Sequence, residues 1–150
     1  MFPVNETLRR YLKKNGREVK LPVAYSDLLR YTYSVPLLDK HGKDTLWEKT
    51  IYDKREWDFI REGLVKIYAT LKTEGDLSFI KHLDVARIDY CSFGNSHPFR
   101  IRIVNKFNDN YDHYYIKIAD ASRIYGLELE HLLSPNHITY FTHQETLVEE

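Results

Sequence analysis

Lys117 and Glu128 are the two residues in this chain best spaced to do chemistry. Lys117 stands between Ile116 and Ile118 in His113-Tyr-Tyr-Ile-Lys-Ile118, so it faces the opposite side of a strand from both isoleucines. Packed inward, those isoleucines make Lys117 a plain surface lysine; on a curled sheet with a cleft, its ammonium points at a ligand. Glu128 shares a helical face with Ile124, Leu127 and His131, where a carboxylate needs a cationic partner. The short connection between strand and helix makes Lys117 the nearest candidate. A lysine so braced holds phosphates. Upstream, Cys91-Ser-Phe-Gly-Asn-Ser-His-Pro98 joins two expected strands. Its Gly94 permits a close backbone approach, and Ser92, Asn95 and Ser96 offer small polar groups that suit a loop over phosphates or an ordinary hairpin turn.

The elements that must position these residues follow from pattern. Phe99–Val104 alternates as a strand, Phe107–Asp112 is a turn, and His113–Ile118 is the lysine strand. Ser122 opens a helix running to about Leu133, Ser134-Pro135-Asn136 breaks it, and two short strands follow. The first half reads as mostly helical. A basic amphipathic helix over Glu6–Lys14 stops at Gly16, Arg17–Leu21 alternates as an edge strand, and Ser26-Asp27 caps a short helix to about Tyr33. His41–Asp44 is a turn. One long helix is expected from about Leu46 to Thr73, on the stripe Trp57, Ile60, Leu64, Ile67, Tyr68 and Leu71, with Gly75 as its terminator. The off-stripe charges form a solvated face; an exposed stripe would instead recruit a partner. Asp84–Tyr90 has strand composition. The expected fold class is α+β, with a helical extension over 1–80 and a twisted antiparallel sheet of about five strands with one packed helix over 81–150.

Composition bounds the rest. At 150 residues the chain suits one domain, and 43% apolar content suits a packed core. Lys plus Arg number 22 and Asp plus Glu 22, so nucleic acid is not an expected partner on net charge. Arg100 and Arg102 alternate with Phe99, Ile101 and Ile103, a pattern shared by nucleic-acid-binding sheets and by any half-buried strand. The single Cys91 excludes an internal disulfide and reads as a buried thiol more readily than as a nucleophile beside His97 and Asn95. The seven histidines, His131, His137 and His143 among them, lack tight metal-ligand spacing. No apolar run is long enough for a membrane helix, and Met1–Glu6 lacks a secretion pattern, so the expected setting is cytoplasmic.

In order, these parts resemble the amino-terminal lobe of the protein-kinase-like fold, from Ala86 to Glu150. Ser92-Phe93-Gly94 looks like the tip of the glycine-rich loop, and Lys117 like the phosphate-binding lysine of the third strand. Glu128 matches the helix glutamate that pairs with it. Ser134-Pro-Asn-His-Ile138 is similar to the His-Pro-Asn-Ile segment leading into the fourth strand. Thr146-Leu147-Val148-Glu149 looks like the fifth strand, with Val148 as gatekeeper and Glu149 and Glu150 offering backbone to adenine.

The resemblance implies ATP as ligand, with residues Ser92 to Ser96 over its phosphates and Leu147 to Glu150 bordering adenine. Magnesium would come with the nucleotide, its ligands outside this chain. Only one loop glycine is present, and Pro98 stands where a valine is expected. The His-Arg-Asp and Asp-Phe-Gly motifs of a second lobe do not occur. Phosphotransfer therefore requires a carboxy-terminal lobe or a second chain as partner. The other class left open is a non-catalytic interaction module.

Overall fold

The computed structural model describes residues 1–73, 77–93, 96–136 and 138–150. Gly75, Gly94, Asn95 and His137, each given a role above, lie outside the described residues. Helix α1 (Glu6–Lys14) begins where Asn5 Oδ1 accepts the Leu8 amide at 2.8 Å, and it buries Leu8 and Leu12. Gly16, at φ 73°, ends it in the left-handed region that favours glycine. The expected edge strand at Arg17–Leu21 is reduced to a parallel bridge between Glu18 and Thr142. The second helix, α2, is only Tyr25–Leu28, shorter than the span to Tyr33.

Strands β1 (Tyr33–Leu38) and β2 (Asp44–Ile51) then form a hairpin. Its loop closes as Asp39 Oδ1 accepts the amides of His41 and Lys43. The first half is thus not wholly helical, and the long helix does not begin near Leu46. Asp53 caps it, accepting the Glu56 amide at 2.9 Å, and α3 runs Lys54–Thr73. The β-branched and aromatic residues Thr45, Trp47, Thr50 and Ile51 put the preceding stretch in the sheet. The Trp57 stripe is core: Ile60, Leu64, Ile67 and Leu71 are buried, and Trp57 and Tyr68 pack beside them.

A 3-10 turn (Leu77–His82) leads to β3 (Leu83–Cys91), β4 (Phe99–Asn105) and β5 (Tyr111–Ile118). Helix α4 (Ala121–Leu133) follows, with Asp120 rather than Ser122 at the position before its first turn, then β6 (Tyr140–His143) and β7 (Thr146–Glu149). The strands make one seven-stranded antiparallel sheet in the order β1-β2-β3-β4-β5-β7-β6. The pairing of β2 with β3 carries it across residue 80.

Side-chain alternation divides the sheet into two sides. On one, Ile88, Phe99, Ile101, Ile103, Tyr114, Ile116 and Val148 pack against α3. The Tyr114 hydroxyl, fully buried, donates to the Leu64 carbonyl at 2.7 Å. On the other, Leu147 and Tyr140 pack with Leu8 and Leu12 of α1 and with Ile124 and Leu127 of α4. The β6 border is covered, since Val19 donates to Thr142 O at 3.0 Å and Thr142 to Arg17 O at 2.7 Å. Among the described residues the β1 border has no further strand.

Candidate functional site

Lys117 lies on the α4 side of the sheet, as the alternation on β5 requires. Its cross-strand partner is Leu147, which puts Glu149 two residues on and diagonally adjacent on the same side. The Lys117 Nζ donates to Glu149 Oε1 at 2.9 Å. Arg123, in the first turn of α4, grips the same carboxylate with Nε at 3.1 Å and Nη2 at 3.0 Å. The Glu149 side chain is 7% exposed. Burial pushes its pKa up, but the hydrogen bonds and charges of Arg123 and Lys117 outweigh this and hold it below the ordinary carboxylate value.

Glu128 is not the partner of Lys117. It is buried on α4 as its position among Ile124 and Leu127 requires, but it faces α1 and the chain after it. Arg17 Nε donates to Glu128 Oε2 at 3.1 Å, and Arg17 Nη2 reaches His131 Nδ1 at 3.1 Å. Because arginine only donates, His131 Nδ1 accepts, and Nε2–H is left to donate to Ile138 O at 3.2 Å. Burial, then the Glu128 carboxylate, raises the Tyr140 phenol. A carboxylate on an apolar helix face did need a cation; the cation came from 111 residues earlier in the chain.

The structure brings Lys117 and Ser96 together. Both line a cleft of about 360 Å³, with Arg123, Ser122, Asp120 and the opening residues Met1 and Phe2. Phe2 donates to Asp120 Oδ1 at 2.7 Å and accepts the Ala121 amide at 2.8 Å, which fixes this wall. The Ser122 and Arg123 amides, in the first turn, have no hydrogen bond among the described residues. Two cations, two hydroxyls and two free amides offer donors to an anion at this corner, while the Glu149 and Asp120 carboxylates balance the two positive charges. Ser92 and Phe93 are exposed, and the base of their loop is tied down where the Tyr25 hydroxyl donates to His97 O at 2.7 Å.

The strand expected to border adenine lies elsewhere. Val148 is buried against the α3 side and Leu147 in the cluster beneath α4. Glu150 is engaged by Lys72 Nζ at 2.7 Å and by the Thr139 amide at 3.0 Å. None of Leu147 to Glu150 lines the cleft. Beside Lys117, the same side of β3–β5 carries Asp89, Arg100 and Tyr115, which is a polar surface. The residues present fit the phosphates of a nucleotide; they form no apolar slot for its base.

Sequence reasoning missed Glu149 and Arg123 as the bracing pair. The available signal was the same one that singled out Glu128, a carboxylate within an otherwise apolar run, Thr146-Leu-Val-Glu149. Among the described residues no group of three or more His, Cys, Asp or Glu side chains could hold a metal ion, and no helix is long and apolar enough to cross a membrane. Comparison with family models, curated proteins and solved structures finds no match.

Proposed function

We propose that this chain is a nucleotide-binding, kinase-like amino-terminal lobe that grips ATP or a related nucleotide by its phosphates. The observation that carries the reading is the Lys117 ammonium, held by buried Glu149 in the same cleft as Ser96 and Arg123. The order β3-β4-β5-α4-β6-β7, with the lysine on the third of these strands, supports it. In this reading Glu149 takes the orienting role expected of Glu128. Phosphotransfer needs catalytic and metal-binding groups from a second lobe or chain. A reducing, cytoplasmic setting belongs to the same proposal and rests on the lone, free Cys91.

Isothermal titration of the purified chain with ATP, tripolyphosphate and adenosine tests it. ATP and tripolyphosphate are expected to bind competitively, adenosine not at all, and Lys117→Met to abolish both signals. Binding that survives Lys117→Met removes the assignment.

One observation favours the alternative of a non-catalytic interaction module. Tyr125, Leu129, Leu132 and Leu133 of α4 are all exposed, an apolar stripe that suits a partner. Under that reading no nucleotide raises the melting temperature at any concentration.

A further inference from the structure

Arg87 and Arg102 sit directly opposite each other on β3 and β4, and His113 of β5 is next in the row. Like charges at opposed positions destabilise an antiparallel pair, so the sheet maintains this arrangement at a cost. Asp89, fully buried, relieves part of it: Arg87 Nε donates at 2.7 Å, and Arg100 donates through Nε at 3.0 Å and Nη2 at 2.9 Å. Arg102 has no carboxylate in reach among the described residues, and its guanidinium lies 3.8 Å from the centre of the Tyr111 ring. Arg100 lies likewise over Trp47, at 4.2 Å. Lys49, exposed, pairs with Asp89 across β2–β3 and adds a cation to the neighbouring row of Asp89 and Arg100. Burial and then the Arg100 and Arg102 charges lower the His113 pKa, and its Nε2 is buried without a partner.

No apolar cluster contains a residue of β2, β3 or β4 that points to this side, while the cluster under α1 and α4 draws its strand residues from β6 and β7. The chain has no net charge, so cations gathered here are a local asymmetry and not a general surplus. Rings and the guanidinium planes of Arg100 and Arg102 stand on neighbouring strands beside the exposed Lys49. An acidic polypeptide answers the charge but leaves those planes unused. A single strand of nucleic acid answers both, with phosphates on cations and bases stacked on rings.

The geometry points to this side of β2–β5 as a binding face for single-stranded nucleic acid, with Lys49, Arg87 and Arg102 meeting phosphates and Tyr111 and Trp47 meeting bases. The inference is independent of the Lys117 cleft. Fluorescence polarisation of the full chain with labelled oligo-dT and oligo-U of about 12 nucleotides tests it. Binding is expected to weaken as salt rises from about 50 to 200 mM. Arg102→Glu and Lys49→Glu are each expected to lower the salt slope by at least roughly 0.7. Tyr111→Ala is expected to weaken binding roughly tenfold, and Lys66→Met, on α3 at the opposite side of the sheet, to leave it unchanged.

Three results overturn the proposal. The first is no polarisation change at the lowest salt. The second is unchanged affinity in charge-reversed variants that melt at the parent's temperature. The third is displacement of the oligonucleotide by a poly-glutamate peptide of higher affinity, which would make this an acidic-polypeptide surface.

Discussion

Lys117 and Glu149 are diagonal neighbours on β5 and β7, and their 2.9 Å ion pair is closed from the helix side by Arg123. Two cations from two elements thus converge on the buried carboxylate of a third. The two ends of the pair are not equivalent. Removing Lys117 leaves Glu149 still gripped by Arg123, whereas removing Glu149 strands two cations together. Urea unfolding should show Lys117→Met costing about 1 kcal/mol and Glu149→Gln about 2–3 kcal/mol. The second figure is held down because Arg123 is 41% exposed and hydrates readily. Equal costs would mean that Arg123 contributes nothing to holding the carboxylate.

Acid should weaken the fold through two kinds of group. The folded-state pKa of His113 is lowered from 6.5, so its neutral form contributes stability above 6.5 that is lost as pH falls through the lower folded value. Glu149 and Glu150 are lowered from 4.5, so their contribution is present above 4.5 and lost as pH falls through their folded values. Melting temperature followed from pH 7 downward is expected to fall in both windows. His113→Gln should remove the first fall and leave the second.

Arg17 and Glu128 tie the stretch after α1 to α4. Arg17→Met leaves a buried carboxylate without its cation and should cost about 3 kcal/mol. Replacing both, as Arg17→Met with Glu128→Leu, should recover most of that loss, since a matched apolar pair avoids the desolvation of two charges. A double variant no more stable than Arg17→Met alone would refute this account.

The two helical glycines should respond oppositely to alanine. On α3 a Cβ at Gly63 would overlap Cγ2 of the fully buried Val23, so Gly63→Ala should destabilise by about 1–3 kcal/mol. On α4 a Cβ at Gly126 meets nothing within 4 Å, and Gly126→Ala should stabilise by about 0.5–1 kcal/mol. Thermal melts of the two variants on opposite sides of the parent confirm that α3, not α4, is pressed against its neighbour at its glycine.

The second half was legible because its signals are local. Phe99–Ile103 alternates and Ile124, Leu127 and His131 keep a helical spacing, so the strand expected over Phe99–Val104 and the helix to about Leu133 both formed, the helix starting at Ala121 and not at Ser122. The first half was less so. Charges and apolar residues over 46–53 fit a helical wheel well enough to hide β2, whose strand state depends on pairing with β1 and β3. Ion pairs were hardest to place. Glu128 announced its need for a cation, but nothing local distinguishes Lys117 from Arg17 as the donor. Topology supplied the nearest lysine, and tertiary packing supplied an arginine from the far end of the chain.

The backbone of Arg17 to Val19 lies along β6 and occupies that border of the sheet. Among the described residues an uncovered hydrogen-bonding edge remains beside β1. A molecule with one adhesive rim can join a twin but has nothing left to offer a third. Growth by rim-to-rim addition through β1 alone would stop at a pair.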